Sequence, residues 1–205
     1  GSASPTFGRV ALNGQSIHDF PEFAAGSIGH IAQEDVLISE LSVRDNLRYS
    51  AALSLGHLDE EAIDVQVDQM LKRLGLWEIR SLRVGSIMDK TISGGQRKRV
   101  NIALELIREP LVLFVDEPTS GLSSRDSEQI MDLLKELTLR GKLIFVVIHQ
   151  PSSDIFKLFD RLLLLDYGGF PIYQGNPLES LSHFRQLSNH ANNSDALCHQ
   201  CGTVN

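Results

Sequence analysis

The 205-residue chain carries 26 acidic and 19 basic residues, so its formal charge at neutral pH is −7. This acidic balance argues against an electrostatically driven nucleic-acid binder, which normally shows a basic excess or stripe. A hydrophobic content of 42% is enough for one globular core. No apolar run approaches the roughly 20 residues that span a bilayer.

The first part of the chain predicts two short strands followed by two helices. Residues 8–14 alternate apolar and polar side chains and end in Asn-Gly, which predicts a strand and a tight turn. Residues 27–33 form a second short apolar run that ends at Gln33. Ser42 has a carboxylate three residues later, which predicts the start of one helix. Apolar residues at helical spacing over 63–74 predict a second helix that stops at Gly75.

Four residues, Ser93-Gly94-Gly95-Gln96, open a run with apolar residues on one helical face. Glycine lets backbone N–H groups approach an anion closely, and the start of a helix adds a partial positive charge. The same four residues also suit an ordinary loop that closes onto a helix N-cap. The dense basic cluster that follows, Arg97-Lys98-Arg99, is interpreted as a solvated helix face.

Residues 111–117 form an apolar run that is too short for a helix and ends in two carboxylates, Asp116 and Glu117. Its β-branched and aromatic bias predicts a buried strand of a parallel sheet, and α/β ligand sites lie at strand carboxyl ends. One carboxylate there can hold Mg²⁺, and its neighbour can polarise an attacking water. Taken alone, the pair fits a solvated turn equally well.

The second part of the chain also alternates helices and strands. Ser124 is predicted to cap a helix over 127–139. The most strand-like run, residues 143–148, ends at His149, which taken alone is an ordinary polar loop residue. The remaining predicted elements are a helix over 154–159, a hairpin joining strands 161–165 and 171–175, and a helix over 178–187.

The polar C-terminal stretch contains a C-x-x-C pair, Cys198 and Cys201. Such a pair can be half of a zinc site, but the second half is missing from the sequence. Free thiols are therefore the favoured interpretation. Two cysteines in a chain of this size also favour a reducing compartment over a disulfide scaffold.

In this order and at this separation, the Ser-Gly-Gly-Gln segment and the strand ending in Asp-Glu resemble the signature and Walker B motifs of ATP-binding cassette (ABC) ATPases. The segments GGQRKRVNIALELI, DEPTSGL and VIHQPSSDIF resemble the G (White) subfamily of ABC transporters. The resemblance covers most of residues 8–184. It implies an α/β fold of the P-loop NTPase (RecA-like) type, with a mostly parallel sheet and an inserted helical subdomain.

The resemblance also implies which residues meet the nucleotide and its metal. Asp116 would orient Mg²⁺, and Glu117 would act as the general base or water-positioning residue. The signature residues would contact ATP held by a partner domain; these are Ser93, Gly94, Gly95 and Gln96.

Three further residues take their expected roles from the family. Gln33 matches the Q-loop glutamine, which would contact Mg²⁺ and the attacking water. His149 matches the switch histidine that positions the γ-phosphate. Ser123 stands where the family normally has the aspartate of the D-loop, which puts hydrolytic coupling to the facing site in doubt.

Family organisation divides the chain into five expected segments. Residues 1–7 would be a tag scar and lead-in, and the tail or linker would begin at 188 and run to 205. Between them lie part of the RecA-like core (8–34), the helical subdomain with the signature motif (35–105), and the rest of the core with Walker B, D-loop and H-loop (106–187).

The glycine-rich loop that cradles phosphates in this family, G-x-x-x-x-G-K-[ST], does not occur in the sequence. We therefore expect an N-terminally truncated domain that by itself binds ATP poorly or not at all. In the family topology the missing strand lies beside the 143–148 strand. We accordingly expect an exposed apolar sheet edge that favours non-native oligomers.

The implied function is ATP binding and hydrolysis, with ATP and Mg²⁺ as cofactors, to power an exporter-like transporter from the cytoplasmic side of the cell membrane. The implied partners are a second nucleotide-binding domain, in a head-to-tail dimer, and a transmembrane domain outside this chain; no nucleic-acid partner is expected. One alternative is a catalytically silent or regulatory ABC-type module, which Ser123 favours and Glu117 and His149 disfavour. Another is a soluble, non-transport ABC ATPase, which the acidic balance disfavours.

Overall fold

The computed structural model describes residues 5–86 and 91–193. The chain divides into two compact units, Gly1–His149 and Gln150–Asn205. In the described residues, the first unit contains a parallel sheet, a small hairpin and several helices, and the second contains a hairpin with helices before and after it. Cys198 and Cys201 lie outside the described residues.

The first unit begins with a small antiparallel hairpin of strands β1 (Ala11–Leu12) and β2 (Gln15–Ser16). The two residues between the strands, Asn13 and Gly14, both have positive φ, 50° and 81°. Two left-handed central residues are what a type I′ hairpin turn requires, and Asn-Gly suits it best. The predicted strand and tight turn are confirmed. A helix that was not predicted, α1 (Pro21–Ser27), follows.

A three-stranded parallel sheet forms the centre of this unit. Its strands are β3 (Ile28–Ile31), β4 (Val112–Asp116) and β5 (Leu143–Val147), in the spatial order β3-β4-β5. The short apolar runs therefore pair as strands of a parallel sheet, as predicted. Because parallel strands share a direction, their carboxyl ends lie along one edge of the sheet.

The described part of the first unit also contains a short 3-10 helix (Trp77–Ile79) and the helices α2 (Val43–Ser54), α3 (Glu60–Arg73), α4 (Gly94–Leu106) and α5 (Ser124–Leu139). The Ser42 side chain accepts the Asp45 backbone N–H at the start of α2, which confirms that predicted cap. Gly75, just beyond α3, has a φ of 65°, as helix-ending glycines commonly do. One predicted cap is wrong, because α5 starts three residues earlier than expected and Ser123, not Ser124, is its N-cap.

The two faces of the sheet differ in burial. Leu113 and Val115 of β4 are 0% and 1% exposed, and α4 packs against the neighbouring strand β3. On the other face, the rings of Phe114 and Phe145 stack with their centroids 4.9 Å apart. These two rings are 42% and 47% exposed. The alternation places one well-packed side and one apolar, accessible side on the same sheet.

The second unit contains α6 (Ser153–Lys157), β6 (Leu162–Leu165), β7 (Pro171–Gly175) and α7 (Pro177–Asn193). Strands β6 and β7 pair antiparallel, which confirms the predicted hairpin. The last helix is longer than predicted and runs to Asn193. Among the helices in the described ranges, none combines the length and the apolar character needed to cross a membrane.

Candidate active site

Three of the predicted site segments lie side by side at the carboxyl ends of the strands, which form one edge of the parallel sheet. In the strand register Ile31 pairs with Val115, and Val115 pairs with Val146. Gln33 follows β3 by two residues, and His149 follows β5 by two residues. Asp116 ends β4, with Glu117 directly after it. The topology therefore brings together residues that are far apart in the sequence.

The clearest contact at this edge joins Gln33 to Glu117. The Gln33 side-chain amide donates a hydrogen bond from Nε2 to Glu117 Oε2, at 2.8 Å. The amide oxygen of Gln33 is therefore directed away from this carboxylate and is available to a cation or a water. Gln33 is exposed and Glu117 half-buried, so the pair faces solvent.

The backbone of Glu117 has an unusual conformation. Its φ is 40°, in the left-handed region that non-glycine residues rarely adopt. Such a conformation costs about 1–3 kcal/mol and persists only where surrounding contacts impose it. Here the Glu117 N–H donates to the carbonyl of Val147 at 2.9 Å. This bond connects the residue after β4 to the end of β5 and fixes the position of the backbone from which the Glu117 side chain extends.

The predicted anion-binding segment forms a capping box at the start of α4. Ser93 Oγ accepts the Gln96 backbone N–H at 3.1 Å, and the Ser93 N–H donates to Gln96 Oε1 at 2.8 Å. The N-cap interpretation is therefore confirmed, and the Gln96 side chain turns back onto its own helix. The N–H groups of Gly94 and Gly95 have no partner inside the helix. The segment thus keeps the donors that an anion would need.

The two glycines of this segment lie against the start of α5. A Cβ atom added to Gly95 would meet the side chain of Asp126, with Cγ 2.7 Å away. A Cβ atom on Gly94 would lie 3.2 Å from Leu122 Cδ2. Asp126 is itself held by Ser123, whose hydroxyl donates to Asp126 Oδ2 at 2.7 Å. Asp126 was not among the predicted site residues, although the Ser-x-x-Asp spacing from Ser123 to Asp126 is typical of a helix cap.

The prediction of a solvated face for Arg97-Lys98-Arg99 is wrong for its first two residues. Arg97 and Lys98 are each only 8% exposed. The Arg97 guanidinium donates to both carboxylate oxygens of Asp35, at 2.9 and 3.1 Å. It also donates to the carbonyls of Val84 and Gly85, at 3.1 and 2.6 Å. A charged group is buried only where such partners replace water, and sequence periodicity alone does not show them.

His149 and Asp116 are assigned to the site by where they lie in the sheet, and not by a hydrogen bond between their side chains and other site residues. His149 is exposed at the end of β5, and Asp116 is half-buried at the end of β4. In the ranges that the structure describes, no group of three or more His, Cys, Asp or Glu side chains could hold a metal by itself. Mg²⁺ typically takes one or two protein oxygens and completes its shell with water and substrate phosphates. The Asp116 carboxylate and the Gln33 amide oxygen fit that kind of site.

Comparisons with known proteins show which family the chain resembles. Residues 1–120 match the ABC transporter family. The chain is 38% identical over 183 residues to ABC transporter G family member 28 of Arabidopsis thaliana, which covers 88% of this chain and 16% of that protein. It is 39% identical over 165 residues to the broad substrate specificity ATP-binding cassette transporter ABCG2 of Rattus norvegicus, which covers 80% of this chain and 25% of that protein.

A fungal relative has a similar identity to this chain and covers a similar share of it. The ABC-type transporter claG of Penicillium crustosum is 38% identical over 169 residues, which is 82% of this chain and 22% of that protein. The chain thus spans about a sixth to a quarter of the length of these relatives. The chain belongs to the ABC transporter family and is a nucleotide-binding domain of the G-subfamily type, with the α/β fold of the P-loop NTPases.

Proposed function

We propose that this domain hydrolyses ATP to drive an exporter-like membrane transporter, acting from the cytoplasmic side of the membrane. The observation that carries the proposal is the hydrogen bond between Gln33 and Glu117, 2.8 Å long, at the sheet edge where Asp116 and His149 also lie. The names of the relatives, all transporters, support the transport role.

The proposed roles follow from the chemistry of each side chain. Glu117 acts as the general base, because one carboxylate oxygen accepts the Gln33 amide and the other is left to take a proton from water. Asp116 and the amide oxygen of Gln33 hold the cation. When bound, Mg²⁺ would neutralise negative charge on the phosphate oxygens. His149 donates a hydrogen bond towards the terminal phosphate from the end of β5.

The signature segment serves a nucleotide held by a second nucleotide-binding domain. The free N–H groups of Gly94 and Gly95, at the positive end of α4, suit phosphate oxygens. Gln96 supports this segment by holding Ser93 in the capping box. The proposed assembly is therefore a head-to-tail pair of domains joined to a transmembrane domain outside this chain.

The 205-residue chain by itself is proposed to bind Mg·ATP weakly, because its sequence contains no G-x-x-x-x-G-K-[ST] loop. It is also proposed to self-associate. In the described sheet β5 is an outer strand, with β4 on one side and no strand on the other. Three of its side chains, Leu143, Phe145 and Val147, are 51%, 47% and 62% exposed. Exposed apolar edge strands pair readily with other chains.

The alternative that one observation favours is a regulatory ABC-type module. Ser123 provides no carboxylate, and its hydroxyl is already bonded to Asp126. A D-loop of this kind offers less to a facing nucleotide site than the family aspartate would. The alternative requires the fold and the dimer, but no turnover.

The test is phosphate release from Mg·ATP by a protein in which this chain is preceded by a phosphate-binding segment of the G-x-x-x-x-G-K-[ST] type, called the extended protein below. The 205-residue chain serves as the comparison. We expect turnover by the extended protein that rises with the square of protein concentration when dimers are scarce. Nucleotide binding without any turnover would instead support the regulatory module, and absence of both would exclude an ATP-dependent role.

A further inference from the structure

Lys98 is a buried cation that links the signature helix to the Q-loop of the same chain. It lies in the second turn of α4 and is 8% exposed. Its ammonium donates to the backbone carbonyls of Ala32 and Gln33, at 3.1 and 3.2 Å. These carbonyls follow β3 directly, so Lys98 fixes the backbone from which the Gln33 side chain extends.

The carboxylates of the site act on the charge of Lys98. Burial is the largest influence on the pKa of Lys98 and lowers it, whereas the charges of Asp116, Asp35 and Glu117 oppose that shift. The charges of Asp116 and Glu117 therefore favour the protonated form of Lys98. A desolvated ammonium is costly to bury, which makes its two carbonyl contacts important for keeping it in place.

We propose that Lys98 is a positioning residue for hydrolysis, which holds the Gln33 backbone so that the Gln33 amide reaches Glu117. The inference rests on the proposed ATPase function. Three consecutive contacts support it: the ammonium on the Gln33 carbonyl, the Gln33 amide on Glu117, and the Glu117 N–H on Val147. Through them the signature helix, which serves one nucleotide, is connected to the general base that serves another.

Lys142 provides a matched control. It is a half-buried lysine whose ammonium donates to a backbone carbonyl, that of Pro110, at 2.6 Å. Burial lowers its pKa as well. Lys142 precedes β5 and Pro110 precedes β4, so this contact lies at the opposite end of the sheet from Gln33. Replacing either lysine by methionine removes the same kind of bond, but only one of them adjoins the site.

The experiment compares Lys98→Met and Lys142→Met in the extended protein. For Lys98→Met we expect kcat to fall about 10- to 100-fold, the usual effect of removing a residue that orients a catalytic group. The KM for Mg·ATP should change by less than about twofold, because substrate contacts are kept. Lys142→Met should leave kcat within about twofold. Equal losses of kcat in the two variants would overturn the proposal.

A double-mutant cycle separates positioning from a general structural role. If Lys98 acts through Gln33, then Lys98→Met should slow hydrolysis no further in a protein that already carries Gln33→Ala. Fully multiplicative losses would contradict the proposed route. Where Lys98→Met does not fold, Lys98→Gln, which is shorter and uncharged, takes its place with the same expected lack of additivity.

A readout that does not depend on turnover distinguishes this inference from the proposed function. In the 205-residue chain, amide hydrogen exchange over residues 33–36 should become faster in Lys98→Met and stay unchanged in Lys142→Met. Faster exchange in Lys98→Met, together with no ATP hydrolysis by the extended protein, would retain the Lys98–Gln33 link and reject the function. Unchanged exchange over these residues would reject the link itself.

Discussion

The carboxylate of Asp126 lies in the space that a side chain at Gly95 would need. The nearest approach of a Cβ atom at Gly95 is to this side chain, with Asp126 Cγ at 2.7 Å. Real Cβ atoms almost never come so close to another heavy atom, so a side chain at position 95 requires the Asp126 side chain, α4 or α5 to shift. The signature segment and the helix after the D-loop are thus fitted to each other within one chain.

The first prediction follows from this fit. Gly95→Ala should lower the free energy of unfolding by about 1–3 kcal/mol, the usual cost of overpacking. Gly56→Ala is the control, because its nearest neighbour would be the Ala52 carbonyl oxygen at 3.9 Å. Urea unfolding of the chain measures both. In a chain that already carries Asp126→Ala, Gly95→Ala should lower the free energy of unfolding by less than it does in the wild-type chain. An equal loss in the two backgrounds would show that the contact with the Asp126 carboxylate does not limit position 95.

The second prediction concerns the D-loop position. Ser123 Oγ accepts the Asp126 N–H at 3.1 Å and donates its proton to Asp126 Oδ2 at 2.7 Å. Ser123→Ala should cost about 1 kcal/mol through loss of the cap. Ser123→Asp introduces the aspartate expected from the family resemblance but places two carboxylates face to face, so it should also destabilise the chain, and more at low salt.

The same pair supplies the control for this prediction. Adding Asp126→Ser to Ser123→Asp removes the repulsion and returns a neutral hydrogen-bonding partner. We expect the double variant to unfold at the wild-type urea concentration, with no extra salt dependence. A Ser123→Asp chain that is already as stable as wild type at low salt would refute the interpretation.

The third prediction contrasts a buried and an exposed ion pair. The Arg97 side chain is 9% exposed and pairs with Asp35, and Arg140, which is 55% exposed, pairs with Glu136. Arg97→Met leaves Asp35 and two carbonyls without their donor and should cost about 3–5 kcal/mol. Arg140→Met should change stability by less than about 1 kcal/mol. Equal urea midpoints for the two variants would contradict the assignment of Arg97 to the core.

The fourth prediction tests the exposed sheet edge. Sedimentation velocity of the 205-residue chain should show association that increases with concentration. Val147→Lys places a charge on β5 and should weaken this association, because lysine on an edge strand blocks pairing. Leu53→Lys is the control, since Leu53 is 89% exposed on α2 and lies outside the sheet. A wild-type chain that remains monomeric at every concentration would rule out this oligomer.

Local signals explain which parts of the fold were predictable. The caps at Ser42 and Ser93, the Asn13-Gly14 turn and the run of β4 each depend on residues close in sequence, so the sequence alone indicated them. Periodicity did not reveal that α4 is buried on the side of Arg97 and Lys98. Their partners come from other segments, and only the folded chain brings those segments together.

The site shows the same division. Gln33 and Glu117 are separated by 84 positions. No rule of spacing connects them, and family resemblance alone suggested that they share a site. Neither spacing nor family resemblance predicted the contact between Asp126 and Gly95, because it depends on how closely α4 and α5 pack. Contacts of this kind require the three-dimensional arrangement of the helices.

The most direct test of the central claim is Mg·ATP hydrolysis by the extended protein and its Glu117→Gln variant, with Glu128→Gln, an exposed helix residue, as control. The amide cannot accept a proton from water, so we predict that Glu117→Gln lowers kcat by about 10²- to 10⁴-fold and keeps Mg·ATP binding. Glu128→Gln should hydrolyse at the wild-type rate. Wild-type turnover by Glu117→Gln would contradict the account.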